Sequence, residues 1–157
     1  VLMIPRKGAI VAEITVQDLE DVLEVRMALE ELAVKIACKR ITQEQLEEIK
    51  RRSAEFCKTL YGDDVAACAQ ADMAFHDAIY EATGNRRLVQ ILNNLREQMY
   101  RYRMEYLKDR QSHSLLVKEH EEIVQGLTER DADRALRVTN SHIERQRDYI
   151  IQQLQHK

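Results

Sequence analysis

The sequence predicts an all-α fold: an antiparallel bundle of about six helices, preceded by a short N-terminal extended segment. Glycine occurs only 4 times and proline once among 157 residues, so few positions interrupt a helix. Apolar residues recur three and four positions apart along most of the chain, which is the spacing of one helix face. Strand-like alternation is confined to the stretch from Gly8 to Ile14.

The predicted helices follow one another through short connections, as in an antiparallel bundle. Side chains suited to capping helix N-termini occur at the expected starts, namely Thr15, Thr42, Asp63, Asn85 and Asp131. Gln45 follows Thr42 at the spacing of a capping box, and Gly84 is suited to ending the third helix. The six helices are predicted to cover about residues 16–39, 42–60, 63–84, 86–108, 114–127 and 131 to near the C-terminus.

The composition argues against several classes of protein. The formal net charge is −3, which does not favour nucleic-acid binding by this chain alone. Three cysteines without a Cys-x-x-Cys pair indicate neither a disulfide framework nor a thiolate zinc site. No apolar run approaches the roughly 18 residues of a membrane span. We therefore expect a cytoplasmic protein that does not enter a membrane.

Four polar residues fall on helix faces that are otherwise apolar. Asp72 and His76 are four positions apart, so they lie one turn apart on the same face. His120 and His142 lie eleven positions before and after Asp131, where the chain turns between two helices. At about 1.5 Å per residue, antiparallel helices bring those two positions to similar heights. The spacing thus predicts that three imidazoles and one carboxylate converge inside the bundle.

Two interpretations of this convergence remain open from spacing alone. The four side chains could bind a divalent metal, or each could be satisfied by ordinary hydrogen bonds in the core. Zinc and nickel suit three imidazoles and a carboxylate best, and manganese, cobalt or iron also suits them. Glu-x-x-His and His-Glu-x-x-His signatures are absent. A non-enzymatic protein is therefore expected, although a mononuclear hydrolytic site stays open.

Several segments resemble the FCD group, the ligand-sensing C-terminal domain of FadR-like, GntR-type transcription regulators. The resemblance extends from about Val16 to Ile151. It is carried by the segments DLEDVLEVRMALEELAVKIA, DMAFHDAIYEATGN, EHEEIVQGLTERDADRA and NSHI. In that family the matching positions bind a divalent metal within a helical bundle. The resemblance therefore implies that the metal ligands are Asp72, His76, His120 and His142.

The resemblance also suggests a domain organisation. Residues 1–15 resemble the end of a winged-helix wing with its linker, and residues 16–157 form the effector and metal-binding domain. It implies DNA binding through an N-terminal winged-helix domain that is absent from this chain. Because symmetric DNA sites are usually read by symmetric proteins, it also implies a homodimer.

Two arginines are candidates for binding an effector. Arg26 matches a family position that often faces the pocket, and Arg103 follows the inner stripe of the fourth helix. We expect these arginines to bind a small carboxylate effector that modulates DNA binding. Two alternatives are a helical metalloenzyme acting on a small organic acid and a purely structural dimerisation bundle.

Overall fold

The computed structural model describes residues 2–4, 8–10 and 14–156, and it has the expected all-α architecture. Within these residues the helices are α1 Val16–Arg40, α2 Gln43–Thr59, α3 Val65–Ala82, α4 Arg86–Asn94, α5 Arg96–Leu107, α6 His113–Glu129 and α7 Ala132–Gln155. A 3-10 turn, Arg110–Ser112, links α5 to α6. None of the described helices combines the length and apolar character needed to cross a bilayer.

A small hairpin precedes the bundle. Strand β1 (Leu2–Ile4) pairs antiparallel with β2 (Gly8–Ile10). The predicted strand from Gly8 to Ile14 is therefore shorter than expected, because Ile14 is not in a strand. Residues 11–13 of that prediction lie outside the described residues.

Most of the predicted helix starts are confirmed by cap hydrogen bonds. Thr42 and Gln45 form the reciprocal capping box, with N–H to side-chain oxygen distances of 3.1 and 3.0 Å. The predicted Asp63 cap is wrong by one residue, since Asp64 accepts the Ala67 N–H while Asp63 pairs with Arg110. The remaining caps lie at the expected residues: Thr15, Asn85 and Asp131.

The predicted fourth helix is in fact two helices. Leu95 interrupts it with φ −97° and ψ 1°, and its N–H bonds to Leu92 and Asn93 rather than one full turn back. Asn93 and Asn94 directly precede the break, and asparagine is a weaker helix former than leucine or arginine. Ile91 is 47% exposed, although it lies at helical spacing from the buried Leu88.

The α6–α7 turn holds two helices close together. A Cβ atom on Gly126 would lie 2.8 Å from the Cβ of Ala135, so only glycine permits this approach. Arg130 ends α6 in the left-handed region with φ 56°, and its guanidinium bonds to the Cys38, Lys39 and Ile41 carbonyls. The turn is thereby tied to the end of α1.

The bundle core has α3 at its centre. Helix α3 packs against α1, α2, α4 and α5, while α7 packs against α6, α1 and α5. Cys38 and Cys68 are buried and Cys57 is partly exposed, and all three are unpaired thiols. The packing of α3 among the other helices brings one of its faces towards the α6–α7 hairpin.

Candidate metal and effector site

Asp72 and His76 lie one turn apart on α3, and both point into the interior. Each is 2% exposed, because they share the helix face that buries Phe75 and Ile79. His76 Nε2 lies 3.4 Å from Asp72 Oδ1. Helix α3 thus contributes an acid and an imidazole to the same buried region.

His120 on α6 and His142 on α7 face this pair from the hairpin. Their ring centroids are 6.5 Å apart, and they lie 5.6 and 5.9 Å from the ring of His76. The His120 ring contacts two phenylalanines, with centroids 4.6 Å from Phe56 and 4.1 Å from Phe75. Aromatic packing therefore restricts the orientation of this imidazole.

Three of the four predicted ligands form one compact donor set. One donor atom from each of Asp72, His76 and His142 lies within 4.8 Å of the others. Bonds from a divalent cation to such donors are about 2.0–2.2 Å long, so two donors bound to one ion lie at most about 4.4 Å apart. The donor atoms here lie within 4.8 Å of one another, which is close to that separation. His120 is not part of this set, but its Nε2 lies 2.8 Å from Asp72 Oδ1.

The hydrogen-bonding state of these atoms fits a cation. Among the described residues, Asp72 Oδ1, His76 Nε2, His142 Nε2 and both ring nitrogens of His120 are buried without a hydrogen bond of good geometry. Each such atom ordinarily costs about 1–3 kcal/mol when left unsatisfied. Bonds to a divalent cation would satisfy these donors together, and imidazole and carboxylate suit borderline metals.

The protonation states also suit a cation, since metal ligands must be deprotonated. Burial lowers the pKa of His76 to about 4, although neighbouring Asp72 opposes the shift. Burial alone would raise the pKa of Asp72, but His76, His120 and Arg103 together hold it well below its ordinary value. At neutral pH the site therefore contains a neutral His76 and an ionised Asp72.

Both predicted effector arginines are buried beside this cluster. Arg103 on α5 is 1% exposed, and its Nε lies 2.8 Å from Asp72 Oδ2. Arg26 on α1 is fully buried and donates from Nη1 to Gln146 Oε1 at 2.7 Å. Nη2 of each arginine lacks a hydrogen-bond partner. Two buried cations with free donors can bind an anion bidentately.

Glu30 and Tyr80 complete the polar interior. The Tyr80 hydroxyl donates to Glu30 Oε1, and Arg26 Nε lies 3.7 Å from the same oxygen. Burial, reinforced by Glu30, raises the pKa of Tyr80, so its hydroxyl stays protonated. Asp72 and Glu30 thus balance the charges of the two arginines.

A surface groove of about 590 Å³ lies between α3 and the break separating α4 from α5. Met73 contributes to its lining, and the Met73 sulfur contacts Arg103 Nη1. Met73 is itself only 4% exposed. The groove therefore approaches Arg103, with the Met73 side chain between them.

Sequence reasoning assigned no site role to Glu30, Tyr80 or Gln146, and it also missed Glu119. Glu119 is 3% exposed, and its Oε1 lies 3.4 Å from His142 Nδ1. Its spacing from Leu116 and Ile123 places it on the apolar face of α6, and this was the available signal. An acid next to a histidine in an acidic run is easily attributed to the solvated face.

The fold and the cluster together define an all-helical domain with a buried imidazole–carboxylate centre beside two arginines. The family model for the FCD domain matches residues 21–145, so the chain belongs to the FCD domain family. The resemblance inferred from the sequence is thereby confirmed.

A curated relative supports a regulatory context. The chain is 22% identical over 139 residues to YdhC of Bacillus subtilis (strain 168), described as an uncharacterized HTH-type transcriptional regulator. The match covers 87% of this chain and 62% of YdhC. The chain therefore spans less than two thirds of that relative.

Solved structures share the fold at low sequence identity. McbR/YncC of E. coli has a TM-score of 0.84 at 16% identity, covering 96% of this chain and 76% of that one. A GntR family regulator from Pseudomonas syringae pv. tomato str. DC3000 has a TM-score of 0.73 at 19% identity, covering 99% and 65%. The metal-free FCD domain of TM0439 has a TM-score of 0.75 at 16% identity, covering 93% and 100%.

Proposed function

We propose that this chain is the metal-dependent, effector-sensing domain of a DNA-binding transcription regulator. The observation that carries the proposal is the buried cluster of Asp72, His76, His120 and His142, each of which has at least one donor atom without a hydrogen bond of good geometry. These four side chains would hold one divalent cation, with zinc or nickel preferred and manganese, cobalt or iron also suited. The bound cation would supply a positive charge and an open coordination position.

The effector would be a small carboxylate. Arg26 and Arg103 offer free guanidinium donors beside the cluster, and with a divalent cation the region would carry a net positive charge. The groove above Met73 gives the effector a route towards Arg103. Carboxylate binding would then engage helices α1, α3 and α5 together.

The response to the effector would be a change in helix packing that alters DNA binding. A ligand that contacts several helices favours the arrangement it fits best. The antiparallel hairpin of β1 and β2 supports our assignment of residues 1–15 to the end of a winged-helix wing and its linker. Residues 16–157 would then be the sensing domain, acting in the cytoplasm where the DNA lies.

A homodimer would present two DNA-reading domains to a symmetric site. An apolar surface on α1 and α4 supports this part of the proposal. Val25, Leu32 and Ile91 are 49%, 45% and 47% exposed, and the two helices contact each other. Analytical ultracentrifugation of the purified chain, compared with Leu32→Glu and Ile91→Glu variants, tests it; a wild-type monomer would contradict it.

We propose that the domain does not catalyse a reaction, because its family and the HTH-type relative are regulatory. The alternative, a helical metalloenzyme acting on a small organic acid, predicts turnover by the metal-loaded chain. Incubation with a panel of small carboxylic acids, followed by mass spectrometry, separates the two. Consumption of any acid at a rate that depends on the metal would contradict the regulatory assignment.

Purification without a metal-affinity column provides the direct test of the sensing role. Metal analysis should find a divalent metal, and mass spectrometry of the denatured protein should find a small carboxylate. Charge-reversing variants Arg26→Glu and Arg103→Glu should lose the carboxylate, whereas Arg87→Glu on the exposed face of α4 should retain it. Retention of the carboxylate by both buried variants would contradict the proposed effector site.

A further inference from the structure

Glu119 is a buried acid that the proposed metal and effector sites do not use. It lies on α6, directly before His120, but its carboxylate is directed towards α7. Oε1 lies 3.4 Å from His142 Nδ1, and Oε2 accepts a hydrogen bond from Arg145 Nη2 at 3.0 Å. Glu119 therefore connects the interior of the bundle to a surface arginine.

The contact with Glu119 bears on which nitrogen of His142 is available to the cluster. A carboxylate accepts the proton of Nδ1, which favours the tautomer with an unprotonated Nε2. Nε2 of His142 is buried and has no hydrogen-bond partner. A free ring nitrogen of this kind is what a cation requires of an imidazole ligand.

Arg145 restrains the carboxylate from the outer side. Its side chain is 43% exposed, whereas that of Glu119 is 4% exposed. It lies in a groove of about 250 Å³ between α6 and α7, to which Glu119 also contributes. The ion pair therefore fixes the second carboxylate oxygen, so that the first stays directed at His142.

We propose that Glu119, held by Arg145, is a positioning residue that orients His142 and fixes its tautomer for metal binding. The inference rests on the proposed metal function. Acidic partners behind histidine ligands typically change metal affinity by 10- to 100-fold when they are removed. Glu119 itself does not contact the cation.

The experiment compares metal affinity in four forms of the chain. Zinc dissociation constants are measured by competition with a chromogenic chelator for wild type, Glu119→Ala, Glu119→Gln and Glu122→Gln. Glu122 is the matched control, because it lies on the same helix and in the same groove but pairs with Arg134.

We expect Glu119→Ala to bind zinc about 10- to 100-fold more weakly than wild type. Glu119→Gln retains an acceptor for the Nδ1 proton, so it should bind more tightly than Glu119→Ala. Glu122→Gln should match wild type. Wild-type affinity in Glu119→Ala, or no difference between the two Glu119 variants, would overturn the inference.

A spectroscopic measurement covers the case in which Glu119→Ala fails to fold. Nitrogen-15 NMR of the metal-free wild-type protein reports the tautomer of His142 directly. We expect wild-type His142 to carry its proton on Nδ1. In Glu119→Gln we expect at most a partial shift towards the tautomer that is protonated on Nε2. A wild-type proton on Nε2 would overturn the inference.

The same data distinguish this inference from the proposed function. If wild type binds no divalent metal, the metal function fails, while the tautomer measurement still tests the Glu119 contact. If wild type binds zinc and Glu119→Ala binds it equally well, the positioning role alone fails.

Discussion

The bundle interior has two contrasting parts. The apolar end, near the α6–α7 turn, is built from buried aliphatic residues that include Ile49, Ile123, Leu127 and Ala135. The polar centre comprises the four predicted metal ligands together with Arg26, Glu30, Tyr80 and Arg103. The apolar end is stabilised mainly by the burial of aliphatic side chains, whereas the polar centre has donor atoms without a hydrogen bond of good geometry.

This contrast separates folding from sensing. Residues in the apolar end should change stability by the same amount whether or not a metal is present. Residues in the polar centre should change stability in a way that depends on metal and pH.

Leu127→Ala removes a fully buried side chain from the apolar end. We expect a loss of about 2–5 kcal/mol of unfolding free energy, from lost burial and the cavity left behind. Urea denaturation with and without chelator measures it. The loss should be equal in both conditions. A loss that depended on metal would contradict the claim that the apolar end affects stability independently of metal binding.

Acid should destabilise the metal-free protein through His76. The imidazole ordinarily titrates near pH 6.5, whereas in the fold its pKa is about 4, so the unfolded state binds more protons between these values. Unfolding free energy should therefore fall as pH decreases from about 6.5 to about 4. The total from this group is on the order of 3 kcal/mol.

A His76→Gln variant isolates that contribution, because glutamine does not titrate. Its unfolding free energy, measured in chelator across the same pH range, should decline less steeply than that of wild type. Parallel curves for the two proteins would mean that another group causes the acid sensitivity.

Gly126→Ala should disturb both parts of the interior. Its Cβ would lie 2.8 Å from that of Ala135, and overpacking of this kind typically costs about 1–3 kcal/mol. Separation of α6 from α7 should also weaken zinc binding, since His120 and His142 lie on these helices. Thermal denaturation and chelator competition measure the two effects.

Gly62→Ala is the control for this substitution. Its nearest neighbour to an added Cβ is the Thr59 carbonyl oxygen at 3.8 Å, an ordinary contact distance. We expect unchanged zinc affinity there. If Gly126→Ala also leaves zinc affinity unchanged, the close helix approach does not set the geometry of the polar centre.

Thr42→Ala should produce the smallest effect. It removes the capping box at the start of α2, which is worth about 1 kcal/mol. Thr42→Ser should retain most of that stability, because the hydroxyl remains. Neither variant should alter zinc affinity, as measured by chelator competition, and a change would link the cap to the polar centre.

Local features of the fold were predictable from the sequence. The capping box at Thr42 depends on residues three positions apart, and the turn at Asp131 on its own side chain. The break at Leu95 was not predictable, because a weak helix preference at Asn93 and Asn94 competes with strong periodicity on both sides. A shift of one residue at Asp63 likewise depends on a distant partner, Arg110.

The site was predictable only where helical geometry determines it. Asp72 and His76 share a face at any i, i+4 spacing, and the symmetric positions of His120 and His142 about Asp131 place them at similar heights. The contact between Glu119 and His142 depends on rotamers and on packing between helices. No spacing rule encodes those contacts, so they required the structure.

The most direct test of the central claim is the melting temperature of the untagged chain before and after chelation, with metal content measured in parallel. We predict one divalent ion per chain, a lower melting temperature after its removal, and recovery on adding zinc or nickel. A ligand present at 100 times its dissociation constant stabilises by about 2.7 kcal/mol. His142→Ala should abolish this response, whereas His113→Ala, whose ring bonds to the Leu107 carbonyl, should retain it. A melting temperature that changes neither on chelation nor on addition of metal would contradict the claim that a bound divalent metal stabilises this domain.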